Sequence, residues 1–310
     1  MKYFKTLVIS TILTMMCINA TFAQTSIKLI VPSPGGGVFD IIGRMLAEKL
    51  PMVIINRPGA GAIAATDSVV KSTPDGTTLL LGTTTNLSVN QYYIKSLPYN
   101  AETDLVPIIS LGETASVFVV SSTIPADNIV QFLALAKANP GKYSYGTSAF
   151  GNAPHLLGDI LFTIEGINIV YVPYNGSPQG IADTIADRNT LFIDGYGTTK
   201  PHIDSGKLKL LGAAGNYKPT PNTMLLKEMR KDFIFSTRLT IMAPAKTPQQ
   251  TVESLNKQFN EIFKDEDLIK RLRLINLIVT GGTAQHAQSL LNEDSELWKK
   301  YSKFSSVQIK

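Results

Sequence analysis

A chain of 310 residues with a net charge of +5 and 44% hydrophobic residues is long for a single core and leaves room for two lobes. Its basic residues are scattered, with short clusters only at Lys227 to Lys231 and Lys270 to Arg273, which excludes the clustered footprint of a nucleic-acid binder. Cys17 is the one cysteine, which excludes disulfides within the chain, and it falls in a leader-like stretch, which excludes thiol chemistry in the remainder.

That leader has a basic start at Lys2 and Lys5, an apolar run from Leu7 to Ile18 that is short for a membrane span, and small residues at Thr21 and Ala23. The pattern predicts a secretory signal peptide cut after Ala23. Met16 before Cys17 fits a lipoprotein signal poorly. Loss of Lys2 and Lys5 lowers the charge to +3, and no later stretch has the length and apolarity to span a membrane.

The mature chain opens on a strand, a glycine loop and a helix. Ile27, Leu29, Ile30 and Val31 form a strand-like run, followed by Pro32-Ser33-Pro34-Gly35-Gly36-Gly37. Ile41, Ile42, Met45, Leu46 and Leu50 then recur on one helical face. Consecutive glycines turn backbone N–H groups toward one point, and the helix behind adds its positive end, so the loop suits an anion. A tight turn that only permits close packing is the alternative. The loop lacks the Lys-Ser/Thr pair of a Walker A motif, and GxGxxG is absent.

Met52 to Ile55 reads as a second strand, Ala62 to Lys71 as a helix of small residues, and Thr77 to Leu81 as a third strand. This third strand ends in Thr83, Thr84, Thr85 and Asn86. Hydroxyls beyond a strand's carboxyl end suit a ligand, or simply cap the next helix. Ile108 to Leu111 and Ser116 to Val120 read as two further strands, with a second lobe starting near them. After a helix at Ile129 to Ala138, a strand at Tyr143 to Gly146 runs into Ser148, Ala149, Phe150, Gly151, Asn152 and Ala153, then into a helix carrying Leu156, Leu157, Ile160 and Leu161. This repeats the logic of the first segment, with Pro154 suited to the first helical position. His155 has no nucleophile or carboxylate company in the sequence and reads as structural more readily than as a catalyst.

Leu191 to Gly195 is a strand ending at Asp194, a candidate acceptor for a ligand hydroxyl or ammonium, or an N-cap for a helix at Thr198 to Ser205. Leu239 to Pro244 returns the chain to the first lobe. Thr247-Pro248-Gln249-Gln250 predicts a capping box with Pro at the first position of a helix whose face is Val252, Leu255, Phe259, Ile262 and Phe263. Trp298 reads as an anchor for the last helix.

Nine segments, in order and spacing, resemble the Bug family, the extracytoplasmic solute receptors of tripartite tricarboxylate transporters. They are IKLIVPSPGGG with Asp40, NRPGAG at Asn56, PDGTTLLLGT at Pro74, LPYN at Leu97, ALAKANPGKYSYGTS at Ala134, GNAPHL at Gly151, VPYNG at Val172, HIDSGKL at His202 and APAKTP at Ala243. The resemblance implies an α/β chain with the type II periplasmic-binding-protein fold, two lobes joined by a two-strand hinge with the ligand cleft between them. It places lobe 1 at 24–115 plus 238–310 and lobe 2 at 116–237. It implies a small carboxylate held largely by backbone N–H groups and waters.

The ligand contacts that the resemblance implies are Ser33, Pro34, Gly35, Gly36, Gly37, Val38, Phe39, Thr83, Thr84 and Thr85 from the first lobe. From the second they are Ser148, Gly151, Asn152, Ala153, Tyr174 and Asp194. It further implies a monomeric periplasmic receptor that feeds large and small membrane subunits, with no cofactor, metal or nucleic acid. Val38-Phe39 stands where the family often has small or hydroxyl residues, Ala153 replaces a common Ser, and Asn175 stands where Lys is frequent. An aromatic, hydroxylated, di- or tricarboxylate ligand, or an acidic amino acid, all remain open. A receptor for a sensor kinase is a second reading. An exported hydrolase is a third, against which stand the lack of GxSxG and the isolation of His155, His202 and His286.

Overall fold

The computed structural model describes residues 26–305 and 307; the signal-peptide reading of residues 1–23 lies outside them. β1 (Ile27–Val31), β2 (Met52–Asn56) and β3 (Thr78–Thr83) are parallel in the order β2-β1-β3. Parallel neighbours need crossover connections, supplied here by α1 (Val38–Ala47) and α2 (Ile63–Val70). β3 is apolar without alternation because both its faces are covered. In β3, Leu79 and Leu81 face a cluster with Ile42, Leu46 and Phe259, while Leu80 faces a second cluster with Ala65 and Val69. Each fully buried leucine contributes about 1.5–3 kcal/mol.

After the short helices α3 (Asn90–Tyr93) and α4 (Ala101–Asp104) comes β4 (Leu105–Ser121), a single strand of 17 residues where the sequence reads as two. Gly112, Glu113 and Thr114 interrupt the apolar run at the point where the strand passes from one set of neighbours to the other. Through Ala115 it pairs antiparallel with β9 (Ser236–Pro244), which itself lies against β3. From Ser116 it pairs with β7 (Leu191–Gly195) and β8 (Leu208–Ala214). β5 (Ser144–Thr147) and β6 (Val170–Pro173) complete the second lobe in the order β4-β7-β5-β6. The helices α5 (Ile129–Ala138), α6 (Ala153–Glu165), α7 (Ser177–Ile185), α8 (Tyr196–Asp204) and α9 (Leu226–Met229) belong to this half. The molecule is thus two α/β lobes connected by two crossing strands, β4 and β9.

The first lobe is completed by α10 (Gln249–Ile262), α11 (Glu266–Leu274) and β10 (Ile278–Val279), which pairs with β4. Val252, Leu255, Phe259 and Ile262 are buried, as their spacing predicts. The expected capping box is not formed. Pro248 is itself the N-cap, Thr247 sits one residue too early, its N–H closes a turn on Pro244 O at 2.9 Å, and its hydroxyl is buried without a partner.

The last helix, α12 (Ala284–Ser302), starts on the first lobe and ends in the core of the second. Trp298 and Tyr301 pack there with Phe233 and Phe235, and the Trp298 ring centre lies 4.7 Å from that of Phe235. Beyond the helix, the Ser305 hydroxyl donates to Asp159 Oδ2 at 2.5 Å. Trp298 is an anchor, as read.

Candidate functional site

The first glycine loop is held in shape from behind. Asp40, buried on α1, accepts the Gly36 N–H at 2.8 Å and Arg44 Nε at 2.9 Å on one oxygen, and Asn56 Nδ2 at 3.0 Å on the other. Asn56 also donates to Ser33 O at 3.1 Å. The Arg44 hydrogen bond, opposed by burial and helped by the Gly36 and Asn56 bonds, holds the Asp40 carboxyl down at about 2. Gly36 adopts φ +80°, a region that favours glycine, and Gly37 N–H closes onto Pro34 O at 3.2 Å.

Two of the three glycine amides are therefore consumed within the loop. The open donors are the N–H groups of Gly35, Val38 and Phe39, at the start of a helix whose N-cap Gly37 provides no side-chain cap. The side chains of Val38 and Phe39 lean on the first-lobe core.

The threonine run at the end of β3 divides its labour. Thr83 donates both its N–H and its hydroxyl to Asn86 Oδ1, at 2.8 and 2.7 Å. Thr84 Oγ1 accepts the Arg238 N–H from β9 at 2.8 Å and bonds Ser236 O at 3.3 Å. Thr85 Oγ1 accepts the Ala153 N–H across the lobes at 3.3 Å, and its own proton has no acceptor among the described residues. Thr85 opens a π-helical turn to Val89, a form often found at functional sites.

The second loop, 148–153, is differently built. Asn152 is the N-cap of α6 and accepts the His155 N–H at 2.9 Å, with Pro154 at the second helical position rather than the first. Gly151 N–H donates to His155 Nδ1 at 2.9 Å. Asn152 Nδ2 donates to Ser148 Oγ at 3.2 Å, and Ser148 Oγ donates to Asp194 Oδ1 at 3.3 Å. The other Asp194 oxygen accepts Thr198 Oγ1 at 2.9 Å. Burial pushes the Asp194 carboxyl up, against the pull of Ser177, the Gly195 N–H, Thr198 and Ser148. Tyr174 is buried against Phe192 and its hydroxyl donates to Asp183 at 3.3 Å.

The side chains of Asn152, Tyr174 and Asp194 are thus engaged inside the second lobe, while Ala149, Phe150 and Asn152 keep unbonded amides. The lobes also meet through Tyr217, whose hydroxyl accepts the Ala115 N–H at 2.8 Å and donates to Asn276 O at 2.9 Å.

His155 is 1% exposed, stacks on Tyr171 at 3.8 Å, and is driven down to about 4 by burial, with Asp159 opposing. Its neutral Nδ1 is an acceptor that fixes the loop. The unfolded chain takes up a proton near pH 6.5 that the folded chain refuses until about pH 4, so stability from this group is present above 6.5 and lost as pH falls. His155→Asn keeps an acceptor at the same position without the proton. Its unfolding free energy is expected to gain on the native chain by about 3 kcal/mol between pH 6.5 and 4, read from denaturant midpoints. A constant difference across that range refutes the assignment.

Asp40 and Asn56, which pin the first loop, were not legible as site residues. Asp40 was visible only as part of a shared segment and Asn56 as part of a turn. Among the described residues no cluster of three or more His, Cys, Asp or Glu side chains is placed to hold a metal, and no helix is long and apolar enough to cross a membrane.

Two α/β lobes crossed by two strands, with the strand-end loop at Thr85 touching the loop at Ala153 of the other lobe, are the architecture of a periplasmic binding protein. Residues 38–304 match the model of the tripartite tricarboxylate transporter family receptor, and the chain belongs to that family. It is similar to protein BugT of Bordetella pertussis, 28% identical over 288 residues covering 90% of this chain and 88% of that one.

Among solved structures, it is similar to R. palustris Rpa4515 with adipate, at TM-score 0.82 and 26% identity, covering 91% of this chain and 98% of the other. The periplasmic binding protein BugD aligns at TM-score 0.80 and 25% identity over 92% and 98%. MatC from Rhodopseudomonas palustris with bound malate, 20% identical, shares the fold at TM-score 0.79 over 89% and 98%. The chain is accordingly an extracytoplasmic solute receptor.

Proposed function

We propose that this receptor captures a small carboxylate between its lobes and passes it to the large and small membrane subunits of a tripartite tricarboxylate-type transporter, acting as a monomer released into the periplasm by cleavage after Ala23. The observation that carries this reading is the set of open N–H groups at Gly35, Val38 and Phe39, on an uncapped helix start. They lie in the lobe whose Thr85 reaches the second-lobe loop at Ala153. Such a cradle holds an anion without a charged side chain.

The lobes are taken as 24–115 with 238–310 and as 116–237, in keeping with the exchange of β4 partners after Ala115, with the end of α12 crossing onto the second lobe. Contact with the ligand comes from Gly35 to Phe39, Thr85, and the backbone of Ser148 to Ala153. A role in binding rather than catalysis is favoured by the engagement of Ser148 with Asp194 and Asn152, and of His155 with Gly151, none of which leaves a nucleophile beside a base.

A thermal-shift scan of residues 24–310 against mono-, di- and tricarboxylates, with matched amides, tests the reading. Ligand at 100 times its Kd stabilises by about 2.7 kcal/mol, a rise of several degrees. A shift with a carboxylate and none with its amide supports the anion cradle; no shift with any carboxylate sinks it. Gly36→Val places a β-branched side chain at φ +80° where no atom lies within 4 Å, so it distorts the loop without a core clash. It is expected to weaken binding at least tenfold while costing about 1–2 kcal/mol of stability. Unchanged affinity in a calorimetric titration removes the loop from the site.

A further inference from the structure

We propose that Tyr217 is a latch at the hinge, whose hydroxyl ties the second lobe to the end of α11 and holds the lobes where the Thr85 and Ala153 loops touch. Its consequence for affinity rests on the receptor reading above. β4 has a gap in its pairing where it leaves the first lobe. On one edge, Glu113 lies opposite Ile278 of β10, and Leu111 O accepts the Thr280 N–H at 3.2 Å. Backbone groups two residues apart point to the same edge, so the Ala115 N–H comes next. Continued by two residues, the β10 register would bring Asn276 opposite Ala115. Instead the Tyr217 hydroxyl lies between them, accepting the Ala115 N–H at 2.8 Å and donating to Asn276 O at 2.9 Å. A side chain of the second lobe thus completes a ladder of the first.

Both halves of this contact are rigid. Asn276 adopts φ +63° and closes α11: its N–H goes to Arg273 O at 2.9 Å, and the Leu277 N–H goes to Leu272 O at 3.0 Å. This helix ending cannot extend β10 and leaves the carbonyls of Ile275 and Asn276 directed at the second lobe. Tyr217 follows β8 by three residues, and its ring packs against the second-lobe cluster that includes Val117, Tyr196 and Ala213. Burial pushes its hydroxyl pKa up, which keeps the donated proton in place.

The neighbouring approach leads to the candidate site. Gly197, the second residue of α8, comes so near the same turn that an added Cβ would lie 2.7 Å from Ile275 O. The next residue, Thr198, donates to Asp194, which also receives Ser148 of the 148–153 loop. Rotation of the lobes about β4 and β9 carries Tyr217 with one and Asn276 with the other, so it must part that pair or the bond to Ala115. The Tyr217 and Thr85–Ala153 contacts exist in the same arrangement. The latch therefore favours the state in which the cleft loops meet, and a ligand that binds this state gains from a population already in it.

Residues 24–310 contain no cysteine, so nitroxide labels attach only where cysteines are placed. Val53→Cys and Val170→Cys put them at exposed positions on β2 and β6, the two ends of the strand order, where hinge rotation has its longest lever. Electron–electron double resonance on the unliganded protein is expected to give a narrow distance distribution. Tyr217→Phe keeps the ring and is expected to broaden it toward longer separations. Tyr99→Phe is the control: its hydroxyl likewise accepts one bond, from Asn90, and donates another, to Asn86 O, but within the first lobe. A Tyr217→Phe distribution equal to the native one overturns the latch, as does equal broadening in Tyr99→Phe. In calorimetric titration with acetate, malate, adipate, citrate and benzoate, those that bind the native chain are expected to bind Tyr217→Phe at least fivefold more weakly. Equal affinity overturns the coupling of latch to cleft. Absence of binding by all five counts against the receptor reading, while the distances still decide the latch.

Discussion

Arg238→Met is expected to lower the unfolding free energy by about 3–5 kcal/mol at pH 8, the largest effect of any single side chain at the hinge. Arg238 lies on β9, one of the two crossing strands, and its side chain is 11% exposed. Its Nε donates to Asp294 Oδ1 on α12 at 3.0 Å, and its terminal nitrogens lie 3.9 Å from Glu113 Oε2 and 3.8 Å from Glu293 Oε2. Glu113 is its cross-strand partner on β4. One guanidinium therefore serves one buried acid, one partly buried and one exposed, and the far oxygen of Asp294 and Oε2 of Glu113 are buried without a hydrogen bond.

Burial drives the Asp294 carboxyl up to about 7, with Arg238 pulling it down and Glu113 and Glu293 adding to the rise. A carboxyl raised in the folded state binds a proton the unfolded chain has released. Its contribution to stability is full below about pH 4 and is lost as pH rises through 7. Removing Arg238 raises this carboxyl further, so the variant is expected to recover part of its loss on acidification from pH 8 to 5.5. Asp294→Asn, placed in the Arg238→Met background, is expected to restore more than 1 kcal/mol at pH 8. Urea midpoints at the two pH values measure both effects. A loss below 1 kcal/mol, the same at either pH, contradicts this account of the hinge.

The cluster also shows where sequence reading stops. Glu113, Arg238 and Asp294 come from two strands and a helix far apart in the chain, and no local pattern relates them. The same holds for Asp40 and Asn56, which meet only because β1 and β2 are adjacent. By contrast, the strand, loop and helix at Ile27 to Ala47 was legible, because a buried parallel strand, a glycine turn and an apolar helical face each leave a local signature. The loops were legible as loops; which of their donors are already spent was not. Gly36 and Gly151 look like ligand amides in sequence, yet each donates to a side chain four residues on, Asp40 and His155. Those bonds depend on rotamers that composition and spacing do not determine.

Gly112→Ala is expected to cost about 3 kcal/mol or more and to lower Tm by roughly 6–12 °C. Gly112 adopts φ +154° on β4, where the register against β9 shifts between Ser110 and Gly112. It is also the residue that β10 pairs with through Val279. An added Cβ would lie 2.2 Å from Ile278 O, a backbone atom with no rotamer to give way. Strained backbone at such a φ costs about 1–3 kcal/mol by itself, and the clash adds a displacement of β10.

Gly141→Ala sets a lower bound on the backbone contribution. Gly141 has φ +73° with nothing within 4 Å of an added Cβ, so it carries backbone strain alone and is expected to lose about 1 kcal/mol. Near-equal losses in the two variants would show that β10 yields without cost and that the close approach at Gly112 is unimportant. A loss at Gly112 that exceeds that at Gly141 by more than about 2 kcal/mol, the spread that backbone strain alone covers, places the excess in the contact between β10 and the crossing strand. Because β4 continues from Gly112 into the second lobe within a few residues, the Ala variant is also expected to weaken ligand-linked stabilisation, measured as the thermal shift with saturating carboxylate, beyond what its lower Tm accounts for.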